Sequence, residues 1–142
     1  ALLPGTRVVG VSPERGAAMA ASLRAGHPVE VEEVGTLADS LGGGIGLANR
    51  YTFRLVRDLV DELVLLTEEE IALGMRELWL RDGVVAEGAG AVGAAALLAG
   101  KVPLPADGGA VAVVVSGGNV DRAAFRHATS AGTGRMPPAG GP

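Results

Sequence analysis

The sequence contains no cysteine, few aromatic residues and little charge. Among its 142 residues there are 0 Cys, 3% aromatic residues and 20% charged residues. The lack of cysteine excludes disulfide scaffolds, thiolate zinc sites and cysteine nucleophiles. The two histidines, His27 and His127, lie far apart along the chain, so a histidine-based metal site is not expected either.

Charge and hydropathy also narrow the range of partners. The formal net charge is −4 and no block of basic residues occurs, which is unfavourable for binding nucleic acid. The longest apolar stretch, residues 84–99, is interrupted by Glu87 and is rich in Gly and Ala. Because a membrane-spanning helix needs about 20 mostly apolar residues, this stretch does not predict one. The sequence therefore indicates neither a nucleic-acid partner nor a membrane.

Lysine is nearly absent as well. Lys101 is the single lysine, beside eleven arginines. Any lysine-based chemistry must therefore use Lys101 or come from elsewhere. Lys101 follows Gly100 in a predicted loop, where nothing in the sequence would remove its amine from water, so it is not expected to be catalytic.

What the sequence does contain is the alternation of strand and helix signals typical of an α/β protein. Apolar residues make up 48%, and the length fits one domain. Predicted strands cover residues 7–11, 62–66 and 108–115, and the third is continuously apolar, as central parallel strands are. Predicted helices cover residues 12–25, 49–60, 67–81, 87–99 and 120–128. Between the first two, residues 27–35 are predicted to be extended and residues 36–41 to form one helical turn. This order predicts an α/β fold with a three-layer, open, mainly parallel sheet.

Capping signals define the ends of several helices. Residues 12–14, Ser-Pro-Glu, predict a helix start with Ser12 as the N-cap, and Gly26 predicts its end. Asn49 is the predicted cap of the next helix. Residues 67–70 form a capping box ahead of the third. The Gly- and Pro-rich residues 130–142 predict a disordered tail.

The turn Ser116-Gly117-Gly118-Asn119 is the first candidate site. It follows the predicted strand 108–115, and ligands of open α/β sheets bind outside the carboxyl ends of strands. There Ser116 would direct its hydroxyl at a ligand, and the glycines would let a planar ligand approach the backbone. The alternative is an ordinary strand-to-helix turn in which Ser116 serves as a cap.

Other polar features have both a functional and a structural interpretation. Glu87 is a lone carboxylate at the head of an Ala/Gly helix; because an unpaired charge there is costly, it either caps the helix or reaches a ligand. The loop 42–46, Gly-Gly-Gly-Ile-Gly, either cradles a phosphate or is a flexible connector. Several other acids and one neighbour are expected to be caps or to lie on solvated faces, namely Asp39 with Ser40, Asp58, Asp61, Glu62 and Glu68 to Glu70.

Residues 7–128 resemble the C-terminal part of a fold-type II pyridoxal-phosphate enzyme, whose fold is like that of the tryptophan synthase beta subunit. The similar family is that of the threonine and serine dehydratases, which includes serine racemase. Six stretches occur in the family's order: Val8 to Glu14, Thr36 to Ser40, Leu55 to Asp61, Thr67 to Ile71, Val85 to Gly93, and Ser116 to Asn119. Within the family, residues 12–19 and 41–47 most resemble the hydroxyectoine-utilization dehydratases.

The resemblance implies roles in binding pyridoxal 5'-phosphate. Ser116 inherits the hydrogen bond to the pyridine nitrogen, with Gly117 beside it, and Glu87 lines the cofactor pocket. Ser40 stands where the family usually has a glycine close to the ring, which departs from the family pattern. The cation-binding acids of some members are replaced by Ser12 and Ala18, so no metal is expected at that position.

The resemblance also implies that essential parts lie outside this chain. The Schiff-base lysine, the substrate-carboxylate loop and the tetraglycine phosphate cradle precede the first matching stretch in the family. Residues 1–129 are therefore expected to be the C-terminal portion of the catalytic region, without catalytic residues of their own and inactive alone. The whole enzyme would be a cytoplasmic homo-oligomer and a lyase, eliminating water from an amino-acid-like hydroxy substrate. Its missing N-terminal part would be the main partner of this chain.

Two rival functions remain from the sequence. One is a degenerate, non-catalytic module that docks on a partner subunit, and an isolated half of this kind should expose a broad apolar surface and associate. The other is an unrelated nucleotide-binding α/β domain. That class needs Gly-x-Gly-x-x-Gly directly after the first strand, where this chain has Ser12, Pro13 and Glu14.

Overall fold

The computed structural model describes residues 5–130. The disordered tail predicted at residues 130–142 starts one residue too early, because Ser130 is the last residue of a helix, and residues 131–142 lie outside the described range. Two strands, β1 (Val9–Pro13) and β2 (Glu62–Leu66), pair in parallel, with Val9 opposite Glu62 and Pro13 opposite Leu66. A parallel pair needs a long crossover, which here includes helices α1 (Ala18–Ala25) and α2 (Thr52–Leu59). The predicted α/β class with a parallel sheet is confirmed.

The start predicted for α1 is wrong. Ser12 and Pro13 belong to β1, and the amide of Glu14 donates to the carbonyl of Leu66 at 2.9 Å, so the ladder with β2 continues past the predicted cap. The helix begins at Ala18, after Gly16 has turned the chain with a φ of +62°. Its end at Gly26, which has a φ of +79°, agrees with the prediction.

The second helix is confirmed with a later start. Asn49 lies ahead of α2, and its Oδ1 accepts a hydrogen bond from the amide of Phe53 at 2.9 Å. Phe53 is buried, while Val56 and Val60 are half-buried, as their spacing on one helical stripe predicts. Residues 27–35, expected to be extended, belong to neither a helix nor a strand, whereas the turn predicted at 36–41 appears as a 3-10 helix at Asp39–Leu41.

Helices α3 (Glu68–Asp82) and α4 (Gly88–Leu98) pack extensively against each other, and α4 contacts both strands of the sheet. The predicted capping box of α3 is present, because Thr67 Oγ1 accepts from the amide of Glu70 while the Glu70 carboxylate accepts from the amide of Thr67. Small residues let the two helices approach closely. A Cβ on Gly74 would lie only 2.6 Å from the Cβ of Ala95.

The core lies between α3, α4 and the strands. Its fully or nearly fully buried members are Ala38, Leu66, Ile71, Met75, Ala86, Ala91, Ala95 and Ala96. Helix α5 (Arg122–Ser130) closes one side, where Phe125 meets Trp79 edge to face with ring centroids 6.0 Å apart. Within residues 5–130 no helix is both long and apolar enough to cross a membrane.

The third predicted strand, at residues 108–115, is wrong for this structure. In the part of the chain that is described, this run pairs with neither β1 nor β2 and forms no helix. Its valines are exposed, most of all Val114, at 79%. An apolar run has the composition of a strand, but a strand also needs a neighbouring backbone for its hydrogen bonds, which local sequence cannot supply.

Candidate functional site

Three separate chain segments, residues 37–40, 85–90 and 116–118, meet at the N-terminus of α4. Gly88 packs so tightly against the carbonyl of Leu37 that no Cβ could fit between them. On another side, a Cβ on Gly90 would lie 2.5 Å from the carbonyl oxygen of Gly117, and one on Gly118 would lie 2.7 Å from the carbonyl oxygen of Val85. Backbone therefore meets backbone at each contact, which only glycine permits.

Glu87 connects α4 to the turn at 116–119. Its amide donates to the carbonyl of Gly117 at 3.1 Å, and its carboxylate lies across the same residue, since a Cβ on Gly117 would be 2.5 Å from Glu87 Oε1. Glu87 occupies the N-cap position of α4, but its side chain makes no capping hydrogen bond. Of the two interpretations from the sequence, a side-chain cap is therefore not observed, and the half-buried carboxylate faces the turn.

The turn itself presents a hydroxyl. Ser116 is exposed and Gly117 is half-buried. Within residues 5–130 the Ser116 hydroxyl has no hydrogen-bond partner, so it does not act as the cap of α5. That role is taken by Asp121, whose Oδ1 accepts from the amides of Ala123 and Ala124 at 2.8 and 2.9 Å. These backbone bonds hold the pKa of Asp121 below its ordinary value.

Ser40 lies in the third converging segment. It is exposed in the 3-10 helix Asp39–Leu41, two residues after the fully buried Ala38. Since Leu37 touches Gly88, this helix is held beside the start of α4. The structure thus brings the segments of Ser40, Glu87 and Ser116 to one end of α4, although they are separated by up to 76 positions (116 − 40) in the sequence.

The Gly-rich loop borders a different cavity. Residues 42 and 43 line a space of about 330 Å³ together with Glu33 and Asp39, with Val34, Gly35 and Thr36 completing the wall. The two carboxylate-bearing residues make this cavity unfavourable for a phosphate. Of the two interpretations of residues 42–46, the connector is therefore favoured over the phosphate cradle.

Two residues expected on solvated faces or in loops have specific partners instead. Glu68 is half-buried and accepts hydrogen bonds from Thr36 Oγ1 at 2.6 Å and from the amide of Leu37 at 2.7 Å. Lys101 Nζ donates to Glu70 Oε2 at 2.6 Å and to the carbonyl of Leu65 at 2.9 Å. No local pattern could have revealed either pairing, because the partners lie at least 31 residues apart.

The ion pair at Glu70 sets the electrostatics at the start of α3. Partial burial opposes ionisation of Glu70, but the hydrogen bonds from Lys101 and from the amide of Thr67 outweigh it and hold the pKa of this carboxyl below its ordinary value. Because the Lys101 amine donates both to Glu70 and to the carbonyl of Leu65, it is a structural group that connects α3 and β2 to the loop after α4.

Sequence comparison identifies related proteins. A profile of the family described as "Pyridoxal-phosphate dependent enzyme" matches residues 1–117. The chain is 56% identical over 127 residues to a Sinorhizobium fredii protein named "Putative threonine dehydratase", covering 89% of this chain and 38% of that protein. It is 42% identical over 118 residues to the catabolic L-threonine dehydratase TdcB of Escherichia coli K12, covering 83% of this chain and 35% of the relative.

Structural comparison agrees with these matches. The processed form of threonine deaminase isoform 2 from Solanum lycopersicum superposes with a TM-score of 0.78 and 28% sequence identity, covering 93% of this chain and 38% of that one. The chain therefore spans less than two fifths of the length of each of these three proteins.

Proposed function

Since this chain belongs to the pyridoxal-phosphate dependent enzyme family, we propose that residues 1–129 form the C-terminal portion of the catalytic region of a dehydratase. The whole enzyme removes water from a hydroxy amino acid and releases ammonia. The relatives named as threonine dehydratases support this reaction class. The observation that carries the proposal is the contact of Glu87 with Gly117, which joins two distant motifs in one site.

The residues present suit one side of a pyridoxal-phosphate site. Ser116 has an exposed hydroxyl with no partner among residues 5–130, and it can donate to the ring nitrogen. The Glu87 carboxylate occupies the space that a side chain of Gly117 would need, since a Cβ there would lie 2.5 Å from Glu87 Oε1. On this proposal the half-buried Glu87 lines the cofactor pocket beside Ser116. We propose that Ser40, exposed in the 3-10 helix beside the start of α4, faces the same pocket, with a hydroxymethyl group where the resemblance implies that the dehydratases usually have glycine.

The bound cofactor supplies an electron-withdrawing ring that makes the α-proton of an amino acid acidic. With the cofactor bound, Ser116 would donate a hydrogen bond to the ring nitrogen, and because a hydroxyl is a neutral donor it would leave that nitrogen largely unprotonated, which would favour direct loss of the β-hydroxyl. Glu87 holds the turn and the start of α4 together, and this keeps the Ser116 hydroxyl in place.

The chain does not itself provide the lysine that such a reaction needs. Its single lysine, Lys101, is bound to Glu70 and to the carbonyl of Leu65. We therefore propose that the cofactor lysine and the phosphate-binding loop lie in a preceding part of a longer enzyme. On this proposal residues 1–142 alone have no activity, and the preceding part is their main partner in a homo-oligomer.

The finer proposal concerns the substrate. Residues 12–19 and 41–47 resemble those of hydroxyectoine-utilization dehydratases, which supports a hydroxylated amino-acid derivative from that route as the substrate. Threonine is the alternative substrate supported by the names of the relatives. The non-catalytic docking module is not favoured, because these relatives carry the names of enzymes.

The test uses the native protein purified from its source cells. We expect a polypeptide well above 14.2 kDa that carries bound pyridoxal phosphate, visible as absorbance near the blue end of the spectrum. Ser116→Ala should lower kcat for elimination by about 10- to 100-fold, since one hydrogen bond to the ring is lost. Ser130→Ala, a matched change at an exposed position on α5, should leave kcat unchanged. A native protein of 14.2 kDa without bound cofactor would overturn the proposal.

A further inference from the structure

Glu68, the first residue of α3, uses both of its carboxylate oxygens on one short segment. Oε1 accepts from the hydroxyl of Thr36 at 2.6 Å, and Oε2 accepts from the amide of Leu37 at 2.7 Å. The Thr36 hydroxyl in turn accepts from the amide of Ala38 at 3.2 Å. Glu68 thus bonds directly to Thr36 and Leu37, and Ala38 is linked to it through the Thr36 hydroxyl. All of these bonds are partly buried, where a hydrogen bond is less exposed to competition from water.

The position of Glu68 is itself well defined. Thr67 and Glu70 form the capping box directly around it, so the first turn of α3 cannot easily fray. A carboxylate in this first turn is also favoured by the positive end of the helix dipole. The segment 36–38 is therefore attached to a rigid point of the fold.

The other side of this segment contacts the candidate site. The carbonyl of Leu37 packs on Gly88 with no room for a Cβ, and Ala38 is fully buried beneath it. The chain then enters the 3-10 helix that carries Ser40. If the segment moved away from α3, the contact with Gly88 would be lost and Ser40 would move relative to Glu87.

We propose that Glu68 is a positioning residue that holds residues 36–40 against the start of α4 and so sets the position of Ser40 in the cofactor pocket. The inference rests on the proposed function for the identity of the ligand. Its structural part, the clamping of Thr36 and Leu37 by Glu68, can be tested without that function. Glu68 makes no contact with the reacting atoms in this proposal.

Three substitutions distinguish a clamp by Glu68 from a general effect of charge at the start of α3. Glu68→Ala removes both acceptors, whereas Glu68→Gln keeps one oxygen for the Leu37 amide and gains an NH2 group that can donate to Thr36 Oγ1. Glu69→Gln removes a neighbouring carboxylate from the same first turn, and with it a similar interaction with the helix dipole, but Glu69 is exposed. Glu69→Gln is therefore the matched control.

The first measurement is amide hydrogen exchange in the native full-length protein. In Glu68→Ala the amides of Leu37 and Ala38 should exchange about tenfold faster, while those of the α3 core around Ile71 keep their protection. Glu68→Gln should restore most of the protection, and Glu69→Gln should match the wild type. Unchanged exchange at Leu37 in Glu68→Ala would overturn the inference. If that variant does not fold, Thr36→Val, which removes only the hydroxyl, should accelerate exchange at Ala38, and its failure to do so would also overturn it.

The second measurement is binding of pyridoxal phosphate to the apoprotein, followed by absorbance. The Kd should rise about tenfold in Glu68→Ala and return towards the wild-type value in Glu68→Gln. Faster exchange at Leu37 with an unchanged Kd would overturn the positioning role, because the clamp would then be purely structural. A wild-type protein that binds no pyridoxal phosphate would overturn the proposed function, and the exchange result would identify this as a separate failure.

Discussion

The amide of Glu87 donates to the carbonyl of Gly117 at 3.1 Å, across thirty residues of sequence. This bond joins the first residue ahead of α4 to the turn that carries Ser116. Close glycine contacts surround it, and they leave no space for side chains between the two segments. The geometry of the candidate site therefore depends on backbone packing as much as on its polar groups.

Gly90→Ala tests this close packing. The new Cβ would lie 2.5 Å from the Gly117 carbonyl oxygen, a backbone atom that cannot rotate away. We expect the free energy of unfolding to fall by about 2 kcal/mol, because overpacking outweighs the better helix propensity of alanine. Urea denaturation measures the loss. Gly44→Ala is the control, since nothing lies within 4 Å of its added Cβ, and a loss of equal size there would contradict the explanation.

The ion pair of Glu70 with Lys101 predicts a pH dependence of stability. The folded-state pKa of Glu70 is below its ordinary value of 4.5, despite partial burial, because Lys101 and the Thr67 amide bind its ionised form. Its contribution to stability is therefore fully present above pH 4.5 and is lost as the pH falls through the lower, folded-state pKa. Since both side chains are partly exposed to solvent, we expect less than about 1 kcal/mol.

Lys101→Met provides the comparison for this effect. The variant should be slightly less stable than the wild type at pH 7. This difference in the free energy of unfolding should shrink as the pH falls through the folded-state pKa of Glu70, because protonated Glu70 no longer pairs with Lys101. Thermal unfolding between pH 7 and pH 3 measures both curves. Parallel curves over this range would show that the ion pair has no influence on the titration of Glu70.

The exposed apolar run at residues 108–115 predicts self-association. Val114 is 79% exposed, and its neighbours pair with no strand within residues 5–130, so this segment can add to the sheet of another molecule. Val114→Arg should weaken self-association of the 142-residue chain by about tenfold or more. Analytical ultracentrifugation measures it. Leu104→Arg, at a position 69% exposed outside the run, should have little effect, and an equal effect would point to net charge as the cause.

The capping box of α3 predicts a local contribution to stability. Thr67→Ala removes the oxygen that accepts from the Glu70 amide and should lower the free energy of unfolding by about 1 kcal/mol. Thr67→Ser keeps that oxygen and should restore most of the loss. Urea denaturation of the three proteins tests this, and equal destabilisation by alanine and serine would assign the effect to the lost methyl group.

Several elements followed directly from local sequence. Strand β2 at Glu62–Leu66, the capping box at Thr67 and the end of α1 at Gly26 all agree with prediction. Each depends on a feature that spans only a few residues. These features are the apolar run of β2, the side-chain cap at Thr67 and the left-handed conformation of Gly26. The resemblance to the dehydratases also rests on short motifs, and these motifs include Ser40, Glu87 and Ser116.

Other features were decided only by contacts between distant residues. Ser12 and Pro13 belong to β1 and do not cap a helix, because they pair with Leu65 and Leu66 of β2. Residues 108–115 have the composition of a strand, yet no neighbouring strand pairs with them in the part that the structure describes. The sequence predicts only a cap or a solvated position for Glu68, whereas its two hydrogen bonds to Thr36 and Leu37 depend on the tertiary structure. The sequence by itself determined most of the helices, the strand β2 and several element ends, because those preferences are local. Strand pairing, side-chain hydrogen bonds and glycine-to-backbone contacts were decided only by the tertiary structure, because they depend on which distant segments meet.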